Sequence, residues 1–158
     1  MTELLDRLDV LNARIAKLES GAPPPHQAAV LRTADVAESY RRALTLIGQG
    51  KHADARAAFQ KVFDADPTGS LADNALFWIG ETYFAAGDYP NAMRYYERVT
   101  KEYAEENKAP DAMLKLGLTY EKTGDLGMAR RTFDECIRKY PYSTSAAAAR
   151  AELKRIKY

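Results

Sequence analysis

The chain has 158 residues, 46% hydrophobic and 28% charged, which suits a folded domain with a true core and excludes a disordered tail. A formal net charge of +1 excludes a global pull toward nucleic acid or acidic lipid, and the single cysteine, Cys136, excludes an intrachain disulfide. No apolar run approaches the roughly 20 residues that a helical membrane span needs.

Residues 1–19 carry Met1, Leu4, Leu8, Leu11, Ile15 and Leu18 in alternating steps of three and four, a heptad with Leu4, Leu11 and Leu18 at d. Arg14 at g can reach Glu19 at e of a parallel partner chain. Leu4, Leu8, Leu11, Ile15 and Leu18 are therefore the expected oligomerisation residues. Under three heptads is too short to stand alone, so the segment is expected to be the end of a longer coiled coil or a marginal oligomer. From Ser20, "SGAPPPHQ" breaks any helix, and residues 20–33 read as a stiff, exposed, proline-rich linker.

From residue 34 the chain repeats itself. Gly50, Gly87 and Gly124 recur at a period of 37 residues. After each glycine come an alanine (Ala55, Ala92, Ala129), an aromatic (Phe59, Tyr96, Phe133) and a small apolar residue (Val62, Val99, Cys136). Their offsets place them on one helical stripe. Before each glycine stand Ala43, Gly80 and Gly117, then Leu46, Tyr83 and Tyr120, on a second helix. The pattern predicts three antiparallel helix hairpins, over about 34–67, 71–104 and 108–141, each covering its apolar face by stacking on the next.

Within each hairpin, Gly80 is expected to meet Ala92, and Gly117 to meet Ala129. The turn glycine takes the left-handed conformation, and Asp88 and Asp125 cap the second helices, while Lys51 cannot. Ser70 and Ser143 are expected caps of the following helices, and Pro110 suits a first turn. Ala104, where the other links have Pro67 and Pro141, predicts a longer second helix in the middle hairpin. A last helix over 143–157, with Ala147, Ala151, Leu153 and Ile156 for its buried face, should cap the stack. It lies in the most basic part of the chain, where Arg138, Lys139, Arg150, Lys154, Arg155 and Lys157 stand against Glu152 alone.

"IGETYFAAGDYPNAMRYYERV" and "LGLTYEKTGDLGMARRTFDECIRKYP" resemble the tetratricopeptide repeat in their leucine-glycine, tyrosine, alanine, aromatic and proline positions. The expected fold class is thus an all-α repeat solenoid of three hairpins plus a capping helix, behind a short coiled coil. With "LADNALFWIGETYF", "KAPDAMLKLGLTYEKTGD" and "KYPYSTSAAAARAELKRI", the chain further resembles the Tol-Pal system protein family (YbgF/CpoB) across residues 36–158. That resemblance implies an N-terminal trimer, protein partners of the TolA and peptidoglycan-synthase kind, and a role in cell division. It implies a periplasmic location, or a cytoplasmic one if Met1 is the natural start.

No motif for catalysis emerges: there is no phosphate-cradling glycine loop, no nucleophile elbow and no paired metal-binding histidines. His26 and His52 are far apart in the pattern, and Cys136 sits on the buried stripe. The expectation is a non-enzyme without cofactor or metal, with no nucleic-acid partner. What remains is the face of the first helices turned away from the second helices: Tyr40 and Leu44, then Asn74, Phe77, Trp78, Glu81 and Phe84, then Leu114, Lys115, Leu118 and Glu121. First helices of such repeats line the inner side, so these residues form the expected partner-binding groove, apolar and aromatic with charged edges. It should take an amphipathic helix or an extended apolar peptide and not a free C-terminal carboxylate, with Trp78→Ala and Phe77→Ala weakening binding at intact helicity. Alternative readings are a cytoplasmic repeat-containing scaffold or regulator, and an outer-membrane assembly subunit.

Overall fold

The computed structural model describes residues 9–16, 21 and 25–156, with side chains from residue 32 onward in the second stretch. The chain divides into two compact units, Met1–Glu38 and Ser39–Tyr158. In the first, residues 9–16 are helical, with Val10, Leu11 and Ile15 exposed. Of the expected oligomerisation residues, Leu4, Leu8 and Leu18 lie outside the described residues. The linker expected over 20–33 is helical from Pro25. A proline lacks only an N–H that the first helical turn leaves unpaired, and the alanine-rich residues after it propagate the helix.

Seven helices follow in order: α1 (Pro25–Gly48), α2 (His52–Ala65), α3 (Ala72–Ala85), α4 (Tyr89–Glu102), α5 (Ala109–Lys122), α6 (Leu126–Lys139) and α7 (Thr144–Ile156). No strand occurs among the described residues, and the fold is all-α, a stack of antiparallel helix hairpins. Each hairpin turns on a glycine at positive φ: 72° at Gly50, 74° at Gly87 and 85° at Gly124. The turns repeat bond for bond, with Lys51, Asp88 and Asp125 N–H donating to the carbonyls of Leu46, Tyr83 and Tyr120. Asp88 and Asp125 accept the N–H groups of Asn91 and Met128, whereas Lys51 offers α2 no side-chain cap.

Four expectations need correction. Ser70 does not cap α3, whose N-cap is Leu71 without a side-chain bond; Ser143 does cap α7, its Oγ accepting from Ala146 N–H. The middle hairpin's second helix is not longer: α2, α4 and α6 all have 14 residues. Tyr103 stops α4 as Tyr140 stops α6, so a proline one residue later is not what ends these helices. Gly80 and Gly117 make room for an aromatic ring and not for the facing alanine. A Cβ on Gly80 would stand 2.8 Å from the Tyr96 ring, and one on Gly117 would stand 2.5 Å from that of Phe133. Tyr96 and Phe133, like Phe59 in the first hairpin, are wholly buried. Burial of each such ring contributes roughly 1.5–3 kcal/mol.

The fourth correction concerns α7, which buries Ala146, Ala149 and Ile156 and exposes Ala147 and Ala151. The 37-residue period accounts for this. Ala72, Ala75, Ile79 and Thr82 of α3 reappear as Ala109, Ala112, Leu116 and Thr119 of α5, then as Ala146, Ala149, Leu153 and Ile156 of α7. This stripe packs on the preceding hairpin: Ala112 and Leu116 join Ala92, Tyr96 and Val99, while Ala149 and Ile156 join Ala129, Phe133 and Cys136. Helix α7 is thus the first half of a fourth repeat.

Both ends of this register are charged. The stripe's first copy, on α1, reads Asp35, Glu38, Arg42 and Thr45, all exposed. An apolar hairpin could not stack there without burying those charges. At the other end Lys154 occupies the place of Gly80 and Gly117, so a second helix could not cross α7 as closely as α6 crosses α5.

Candidate functional site: the face of the first helices

Position by position, the first-helix face is a laced surface. Tyr40 and Trp78 are both partly buried, and the Trp78 indole N–H donates to the Tyr40 hydroxyl at 3.1 Å. The indole lies parallel to the Phe59 ring, centroids 6.1 Å apart and planes 8° apart, while Tyr40 meets that ring edge-on. Burial, the largest influence, raises the Tyr40 hydroxyl pKa, and the bond from Trp78 partly offsets it. Leu44 is partly buried on α1, one turn beyond Tyr40.

Phe77 does not line an open face. It is 8% exposed and packs with Leu76, Tyr96 and Leu116 in the core between hairpins. Phenylalanine at this position follows the burial that a neighbouring repeat supplies, which a single helix face cannot foretell. Removing Phe77 or the Trp78 indole would therefore disturb packing as well as any contact with a partner. Asn74 is spent locally, donating to the Ser70 carbonyl and to Asp73.

The charged members are paired from one first helix to the next. Glu81 of α3 meets Lys115 of α5 at 3.3 Å, and Lys115 also stands over the Phe84 ring at 4.0 Å. Glu81 accepts the Tyr96 hydroxyl proton, and burial together with the Glu81 charge pushes that tyrosine's pKa far up. Glu121 of α5 bonds Arg155 of α7, which also bonds Glu152. Phe84 meets Tyr89 edge-on, and Leu114 and Leu118 are partly buried against the core beneath α5 and α7. The structure thus places ten of the eleven residues on a partly exposed surface and moves Phe77 into the core.

Several partners of this face went unread in the sequence. Asp73, 2% exposed, accepts the Lys108 N–H that opens α5. Tyr103 and Tyr140, exactly one period apart, donate to the Pro67 and Ala104 carbonyls, also one period apart, so each hairpin is pinned to the end of the previous one. Thr45, Thr82 and Thr119 repeat with the same interval, and Thr82 receives the Arg56 side chain from the preceding hairpin. A search along the 37-residue register for polar as well as apolar identities would have found these tyrosines and threonines. Cys136 is buried against α7, and burial pushes its thiol up to about 11. Among the described residues no His, Cys, Asp and Glu group could hold a metal ion, and no helix is long and apolar enough to cross a membrane.

Family models of the tetratricopeptide repeat match residues 40–107 and 111–143. No curated protein sequence matches the chain. Among solved structures, the type III secretion chaperone SycD of Yersinia enterocolitica, in complex with a peptide of the translocator YopD, is similar at TM-score 0.68 and 19% identity. That match covers 78% of this chain and 93% of SycD. PcrH of Pseudomonas aeruginosa is similar at TM-score 0.69 and 19% identity, covering 79% and 93%. The first repeat domain of Spaghetti (RPAP3), bound to the HSP90 peptide SRMEEVD, is similar at TM-score 0.60 and 16% identity, covering 76% and 90%. At these identities the likeness is one of fold.

Proposed function

We propose that this chain, a carrier of tetratricopeptide repeats, is a non-catalytic adaptor that holds another polypeptide against the first helices of its stack. The observation that carries the reading is the run of partly exposed apolar side chains Tyr40, Leu44, Trp78, Phe84, Leu114 and Leu118 along successive first helices. The second helices' apolar stripes are buried, so along the stacked hairpins the first-helix face offers a partner an apolar surface. The solved structures with bound peptides supply a precedent in the same fold.

By the resemblance of residues 36–158, the partners we assign are a TolA-like envelope protein and a peptidoglycan synthase, in the periplasm, with the heptad of residues 1–19 gathering the chains into a trimer. The test is calorimetric titration of the whole chain with purified TolA and with a purified peptidoglycan synthase, beside Phe84→Ala and Leu118→Ala. Wild type should bind at least one of them. Each variant should bind about tenfold more weakly or worse at unchanged helicity, a loss of about 1.4 kcal/mol. Wild-type affinity in both variants would remove the first-helix face from the interface. Absence of binding to either protein would remove the envelope assignment.

A further inference from the structure

We infer that the first-helix face accepts an uncharged internal segment of its partner and rejects acidic chain termini, an inference that rests on the polypeptide-binding reading above. Seven ionisable side chains on or beside this face are already engaged. Glu81 pairs with Lys115, and Glu121 and Glu152 share Arg155. Asp111 accepts the Ser145 hydroxyl and pairs with Lys108, and Lys108 in turn stands over the Phe77 ring. The Trp78 N–H is given to Tyr40, so the indole offers a partner only its apolar surface.

A carboxylate arriving at Lys115 must displace Glu81 and then lie beside it. One attraction is exchanged for another, and a repulsion between two carboxylates is added. The same holds at Arg155, which is flanked by Glu121 and Glu152. A neutral apolar segment breaks nothing: it covers Trp78, Phe84, Leu114 and Leu118 and leaves each pair in place. Arg41 and Lys122 belong to the same helices and enter no ion pair among the described residues. Both are exposed to water, where a single pair to a flexible cation gains little and is screened by salt.

Trp78 is the only tryptophan, so its emission reports occupancy of this face without a label. Two peptides serve as probes for the whole chain: SRMEEVD with free termini, and the neutral, blocked acetyl-SLMQLVF-amide. Wild type should bind the neutral probe at least about tenfold more tightly than SRMEEVD, with under about twofold change between about 0.05 and 0.5 M NaCl. In the double variant E81Q/E121Q, the amide at 81 still accepts from Tyr96, while Lys115 and Arg155 lose carboxylate partners. Its affinity for SRMEEVD should rise about tenfold and fall steeply with salt. Tight, salt-sensitive binding of SRMEEVD to wild type, or no gain in E81Q/E121Q, would overturn the inference while leaving the polypeptide-binding reading standing. Unchanged emission with both probes, on a chain shown folded by circular dichroism, would count against that reading itself.

Discussion

Gly117→Ala tests the packing principle on which the stack is built. Ordinarily, alanine for glycine inside a helix gains about 1 kcal/mol, because glycine loses more backbone freedom. At this position the new Cβ would stand 2.5, 2.7 and 3.1 Å from three atoms of the Phe133 ring. That ring is wholly buried in the cluster with Ala129, Cys136 and Ala149, so it cannot swing into solvent. Overpacking of this kind costs about 1–3 kcal/mol, and so close a contact argues for the upper part of that range. The net expectation is a loss of about 1–2 kcal/mol. Gly48→Ala is the matched control: it ends α1, its Cβ would meet nothing within 4 Å, and it should gain up to about 1 kcal/mol.

Urea unfolding followed by circular dichroism reads both, with an unchanged m-value confirming that the shift in midpoint is one of stability. In a Phe133→Leu background the clash is relieved, so Gly117→Ala should there become neutral or stabilising, a coupling of about 1–2 kcal/mol across the pair. Gly117→Ala as stable as Gly48→Ala, with no coupling to Phe133, would refute the idea that glycine is needed for the ring.

Asp125→Ala and Asp88→Ala should each cost about 1 kcal/mol in the same assay, and Lys51→Asp should gain up to about that, since α2 alone of the second helices lacks a side-chain cap. Tyr140→Phe removes only the hydroxyl given to Ala104 and should cost about 0.5–1.5 kcal/mol, as should Tyr103→Phe at Pro67. The Cys136 thiol, raised from 9.0 to about 11, stays protonated in the fold after it has begun to ionise in the unfolded chain. The unfolded state then binds fewer protons, so this group's contribution to stability is complete below about pH 9 and is lost as pH rises from there to about 11. Cys136→Val should flatten that part of the stability profile, and in native wild type the thiol should resist iodoacetamide at pH values where an unfolded control is alkylated.

How much of this was legible depends on whether a position answers to its own helix or to a neighbour. The hairpins, the turn glycines and the two aspartate caps are local, and the glycine-aspartate pairs announce them. Phe77 shows the other case. On its helix it lies across from the core residue Ile79, yet the third hairpin arrives through Leu116 and seals it. The salt bridges of the first-helix face were out of reach for the same reason. Glu81 and Lys115, like Glu121 and Arg155, lie 34 residues apart, not the 37 of the register, because α3 meets α5, and α5 meets α7, about one turn out of step. The tyrosine pins were readable, since Tyr103 and Tyr140 keep the period along with the carbonyls they reach. They were missed because a repeat is habitually sought in its apolar residues. The alanine face of α7 was likewise fixed by register, and reading the helix in isolation chose Ala147 and Ala151, which face water.

The most direct measurement on the adaptor reading is a nitrogen–proton correlation spectrum of the chain, recorded with and without a bound partner polypeptide. The account predicts that the Trp78 indole resonance and amides of α3, α5 and the Ser39–Gly48 part of α1 shift on binding, while those on the outer sides of α2, α4 and α6 stay in place. Shifts gathered on the second helices or on the charged ends of the stack, with the indole resonance unmoved, would contradict it.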